Sequence, residues 1–145
     1  MRDVRCRRIF RGVYPRDKLP RWVSTQQPCA FIINTDRSSG PGRHWVALWL
    51  DGKGKAEYFD SFGLPPSHLE IKNFILRHCH TYRFNSRLLQ DMTSSFCGLY
   101  VIFFVYMKSR GASLTRLLAS FFAYRAWTND RVVLRHVRPL LVKRL

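Results

Sequence analysis

From Cys97 to Arg110 the chain reads Cys-Gly-Leu-Tyr-Val-Ile-Phe-Phe-Val-Tyr-Met-Lys-Ser-Arg, which is apolar nearly all the way round a helical wheel. Such a helix has no face to offer water, so it must run through the middle of a domain with other elements packed about it. Gly111 supplies the residue that ends it. The longest apolar run, Phe96 to Met107, falls well short of the roughly 20 residues that cross a bilayer, and no membrane association is expected. The chain has 145 residues, room for one domain and one sizeable core, so 1–145 reads as a single unit.

The other elements follow from patterning and punctuation. Ala30-Phe31-Ile32-Ile33-Asn34 is a short apolar run with strand character. Asp36 to Gly42 is loop chemistry. His44 to Leu50 is apolar on both faces, as a central strand is, and Asp51 to Lys55 turns the chain into a returning strand over Ala56 to Ser61. Ser67-His68-Leu69-Glu70 has the spacing of a capping box and opens a helix whose apolar face is Ile71, Phe74 and Ile75. Thr81 to Asn85 reads as a further strand. Helices are expected near 114–124 and 130–138, capped by Ser113 and Asp130. Residues 1–28, broken by Gly12, Pro15, Pro20 and Pro28, read as a basic, loop-rich arm. The expected class is α+β: a small antiparallel-rich sheet around a central buried helix with Cys97 at its N-terminus.

Charge narrows the partners. Lysine and arginine number 25 against 9 acidic residues, a formal net charge of +16. Eight of the first 21 residues are basic, and Arg131, Arg135 and Arg138 share one face of the last helix. A footprint for nucleic acid fits such clustering, and a solubilising surface is the plainer alternative. Cys6, Cys29, Cys79 and Cys97 are too few and too scattered for a disulfide framework, and the absence of any Cys-x-x-Cys pair argues against structural zinc. They read as reduced intracellular thiols in a soluble protein.

Four residues stand where chemistry is available. A hairpin turning symmetrically about Lys53 sets position 46 opposite position 60, so His44 and Asp60 lie on one face as diagonal neighbours about 7–8 Å apart. In that register Asp60 accepts a hydrogen bond from the ring and holds its tautomer, whereas a slip of one residue separates the two. Cys97 opens the buried helix, where N–H groups and the dipole favour the thiolate. Beside an imidazolium it would form the ion pair of thiol hydrolases. Gln90 lies in the preceding loop, where its amide and the N–H of Cys97 could donate to an oxyanion. Taken singly, each has an ordinary reading: a satisfied histidine, a strand-end carboxylate, a buried thiol, a surface amide.

In order, Arg43-His44-Trp45, Tyr58-Phe59-Asp60-Ser61-Phe62-Gly63, Gln90 and Phe96-Cys97-Gly98 resemble the adenoviral endopeptidase (adenain) family, which is allied to the ubiquitin-like-modifier proteases. Gly12-Val13-Tyr14, Pro28-Cys29-Ala30 and Ile33-Asn34-Thr35 extend the likeness over roughly 12–110. The resemblance implies a Cys-His-Asp cysteine endopeptidase: Cys97 attacks, His44 is the base, Asp60 orients it and Gln90 builds the oxyanion hole. It implies a viral protein, or one from a virus-like DNA transposon, that cleaves capsid or core precursors during virion maturation. The expected setting is the virion and host nucleus, with a monomeric enzyme and no metal or small-molecule cofactor. It also implies stimulation by DNA and by a short viral peptide that could form a disulfide with Cys79; the charge clustering, rather than the resemblance, offers Arg131, Arg135 and Arg138 as DNA contacts. Two features depart from the family: adenoviral enzymes commonly use glutamate where Asp60 stands, and the region after Met107 is shorter. An isopeptidase acting on a ubiquitin-like protein shares the whole catalytic set, and a basic DNA-binding or core protein without activity is the third reading.

Overall fold

A computed structural model describes residues 3–142. Five strands form one sheet in sequence order: β1 (Phe10–Pro15), β2 (Cys29–Asn34), β3 (Trp45–Leu50), β4 (Lys55–Phe59) and β5 (Thr81–Phe84). The three central strands are antiparallel, and each edge strand joins in parallel, β1 to β2 and β5 to β4. Ala47 pairs with Phe59 in the β3–β4 hairpin, which is the register expected about Lys53.

Both faces of the sheet are covered, which is why β2 is buried at every position. Alternate residues of the strands diverge to two cores. Phe31, Ile33, Val46, Leu48 and Tyr58 meet Ile71, Phe74 and Ile75 of α2 (Leu69–His78). Ala30, Ile32, Ala47 and Phe59 meet α3 (Cys97–Ser109) on the other side. There α3 is central as expected, with the sheet on one flank and α1 (Val4–Ile9) and α5 (Ala126–Leu141) against the others. Its end is a Schellman motif: Gly111, at φ +78°, and Ala112 donate to the carbonyls of Lys108 and Met107. Lys108 brings a charge into the core, its Nζ donating to Glu57 at 2.8 Å and to the Ala112 carbonyl at 3.1 Å.

Four local expectations are corrected. Residues 1–28 are not loop throughout: Asp3 caps α1 by accepting from Cys6 N at 2.9 Å, and β1 follows directly. Only after a 3-10 turn at Arg16–Lys18 does the chain run irregularly to β2, and Arg2 lies outside the described residues. Ser67 does not cap α2; its N-cap is His68, and Glu70 is drawn instead into ion pairs with Arg16 and Arg37 at 3.0 and 3.1 Å. The helix near 114 is short, α4 (Leu114–Leu118), although Ser113 caps it by accepting from Arg116 N. Asp130 is no cap: it lies inside α5 and its side chain is buried. Among the described residues no helix is long and apolar enough to cross a membrane.

Candidate active site

The site forms where the start of β3, the end of β4 and the start of α3 converge. His44 directly precedes β3, its carbonyl held by Thr35 N at 2.9 Å, so the sheet ladder fixes its backbone. The chain leaves β4 at Asp60, whose N–H and C=O are both taken by the Asn85 carboxamide, at 2.9 and 2.6 Å. Asp60 Oδ1 accepts from His44 Nε2 at 2.9 Å and from Phe62 N at 2.8 Å. The Phe62 ring stacks on the imidazole with centroids 4.9 Å apart and planes 23° from parallel. With Nε2 committed to Asp60, Nδ1 is the nitrogen left for the thiol.

Cys97 is the first residue of α3 and 7% exposed. Burial alone pushes its thiol up, but the hydrogen bond with His44 and the N–H groups of Trp45 and Gly98 bring it below the ordinary thiol range. His44 responds in the opposite sense. Burial favours its neutral form, yet the Asp60 and Cys97 contacts outweigh that and raise it to about 9. Each group thus supports the charged form of the other. A β-carbon added at Gly98, the residue after Cys97, would meet nothing within 4 Å beyond its own chain neighbours and helix backbone.

Gln90 is buried one loop away, and its carboxamide is fully engaged. Oε1 accepts from Ser61 Oγ at 2.6 Å, while Nε2 donates to Ser94 O at 2.9 Å and lies 3.2 Å from Ser94 Oγ. The backbone N–H groups of Leu89 and Gln90 donate to Ser61 O at 2.9 and 3.1 Å. Cys79 lies elsewhere, at the C-terminus of α2 in the core on the opposite face of the sheet. Burial, with Asp51 and Cys29 adding to it, pushes its thiol up to about 11. Arg131, Arg135 and Arg138 are exposed along α5.

Sequence reasoning assigned no role to Asn85 or to the stack of Phe62 on His44. Ser61 and Phe62 do sit inside the motifs that carried the resemblance, whereas the Asn85 carboxamide reaches Asp60 from outside them.

A thiol at a helix N-terminus, with an imidazole and a carboxylate in file behind it, is the arrangement of thiol-dependent hydrolases. The sequence pattern of the adenovirus endoprotease family matches residues 10–114. The chain belongs to that family of cysteine proteases. It is 30% identical over 113 residues to an African swine fever virus protein named SUMO-1 cysteine protease, covering 67% of this chain and 41% of that one. It is 27% identical over 124 residues to the protease of porcine adenovirus A serotype 3, covering 75% of this chain and 60% of that one. The crystal structure of the African swine fever virus protease shares its fold, with a TM-score of 0.53 at 23% identity over 74% of this chain and 43% of that one. The chain therefore spans well under half the length of the African swine fever virus relative.

Proposed function

We propose that this chain is a cysteine endopeptidase in which the Cys97 thiolate attacks the scissile carbonyl carbon. His44 then gives its proton to the leaving amine, and a thioester to Cys97 remains. Water, losing a proton to His44, hydrolyses that thioester and regenerates the thiol. Asp60 keeps the ring in the productive tautomer and supports its positive form. The Cys97 N–H, at the start of α3, and the Gln90 amide receive the oxyanion. For Gln90 this requires a substrate oxygen to take the place of Ser94. The observation that carries the reading is the His44 Nε2 to Asp60 Oδ1 bond of 2.9 Å, on a ring whose other side meets a thiol lowered by it.

The substrates in this reading are viral capsid or core precursors cut during virion maturation, in the virion and host nucleus, with the enzyme held on DNA by its charge of +16. DNA and a short peptide acting through Cys79 are the proposed activators. The peptide must first gain access to a thiol that is 7% exposed. Cleavage of a ubiquitin-like conjugate is the second reading, favoured by the name of the African swine fever virus relative. The deciding experiment incubates the chain with viral precursor polypeptides, with peptides carrying a Gly-x-Gly type site, and with fluorogenic ubiquitin-like substrates, each with and without DNA. The endopeptidase reading expects cuts in the first two that Cys97→Ala abolishes. Turnover confined to the ubiquitin-like substrates would replace it with the second.

A further inference from the structure

Two polar residues of α5 are buried where an amphipathic helix would ordinarily place apolar ones. Asn129 is 0% and Asp130 6% exposed, on the face that also buries Val133 and Val137. Burying an amide and a carboxylate for packing alone is costly, the charged group most of all, and a leucine would dock the helix more cheaply. Each side chain makes one hydrogen bond to the backbone beside Gln90. Asn129 Nδ2 donates to Leu89 O at 3.2 Å, on one side of Gln90, and Asp130 Oδ1 accepts from Asp91 N at 3.3 Å on the other. Asn129 is itself locked by both backbone groups of Phe122, at 2.7 and 2.9 Å. Asp130 Oδ1 also accepts from Tyr100 Oη at 2.7 Å, and Tyr100 stands three residues after Cys97 on α3. A third tie comes from Arg87, which donates to Leu118 O and Phe121 O at 3.3 and 3.0 Å.

We propose that Asn129 and Asp130 are positioning residues that hold the 89–91 segment against α3, and so fix the Gln90 carboxamide relative to Cys97. They lie outside the matched family region, which ends at residue 114. This inference rests on the reading of Gln90 as an oxyanion donor. Such a donor acts only where it is placed, since a displacement near 1 Å can cost about 10²-fold in rate. Oxyanion stabilisation matters for acyl transfer and not for alkylation of the thiol. A loosened clamp therefore slows cleavage while leaving Cys97 as reactive as before.

The test compares wild type, Asn129→Ala, Asp130→Ala and Asp130→Asn on a cleaved peptide, with iodoacetamide inactivation measured in parallel. Expected are losses in kcat of about 10-fold or more for the two alanine variants, KM within about twofold, and an unchanged alkylation rate. Asp130→Asn keeps an acceptor oxygen and should recover most of the loss. In a Gln90→Ala background the alanine changes should cost almost nothing further, because the donor they position is gone. If Asn129→Ala does not fold, Tyr100→Phe removes a tie of the same clamp without emptying the core and is expected to lose kcat in the same way. The clamp is overturned if the losses multiply in the Gln90→Ala background, or if alkylation slows in step with kcat. Cleavage that survives Cys97→Ala would instead defeat the underlying protease reading.

Discussion

Replacing Asp60 by asparagine separates the charge behind His44 from the shape that holds it. An asparagine Oδ1 can still accept from Phe62 N and from the ring, so the imidazole should keep its place while losing its anionic neighbour. In the native site the protonated ring persists to about 9 against an ordinary 6.5, despite burial that acts the other way. That difference is worth about 3 kcal/mol in favour of the imidazolium. Asp60 contributes both as hydrogen-bond partner and as charge, with Cys97 the other source, so loss of the charge should remove about 1–2 kcal/mol. The ion pair exists where Cys97 has given up its proton and His44 has kept its own. Without the Asp60 charge the ring deprotonates at lower pH, so the range in which the thiolate has a protonated partner closes from its alkaline side. In kcat/KM against pH the alkaline limb should therefore fall by about one pH unit. A folded Asp60→Asn enzyme whose alkaline midpoint is unmoved would refute the claim that this carboxylate sustains the pair.

Gly98→Ala should fold and even gain up to about 1 kcal/mol from helix propensity, since nothing lies within 4 Å of the added carbon. It should nevertheless lose cleavage, because a methyl beside the thiol occupies substrate space; a thermal melt with a kinetic assay checks both, and unimpaired turnover contradicts it. Lys108→Ala leaves the largely buried Glu57 carboxylate with Arg83 as its remaining partner, and should destabilise by about 1–3 kcal/mol in urea titration. Adding Glu57→Gln should recover part of that loss, and a cost below about 1 kcal/mol would show the pair to be unimportant. If α5 carries DNA contacts, reversing Arg131, Arg135 and Arg138 together should flatten the dependence of DNA affinity on salt by roughly three counterions. A slope untouched by the triple reversal moves the contact elsewhere, first to the exposed arginines of α1.

The sequence disclosed most where structure is local or symmetric. A five-residue turn between two apolar runs set the hairpin register, and that register carried His44 to Asp60. The apolar wheel from Cys97 onward could only be a central helix, and Ser113 capped as its position suggested. Failures came where a distant partner overrode a local rule. Glu70 has capping spacing, but Arg16 and Arg37 arrive from the other end of the sequence and take its carboxylate. Asp130 looks like a helix cap until Tyr100, thirty residues earlier, is seen to hold it. The N-terminal arm is rich in breakers, yet Asp3 supplies a cap and β2 an edge for β1 to join. Gln90 was legible as a loop amide near the thiol, but not its present engagement with Ser61 and Ser94, which depends on how three loops meet.

If Cys97 is a nucleophile because His44 makes it one, an irreversible peptide warhead should find that thiol and depend on that ring. The protein is treated at neutral pH, digested, and its four cysteines are compared by mass spectrometry in wild type and His44→Ala. An adduct is expected on Cys97 with Cys6, Cys29 and Cys79 unmodified, and most of that adduct should be lost in a folded His44→Ala variant. Equal labelling of several cysteines, or a Cys97 adduct that forms as fast without His44, would contradict it.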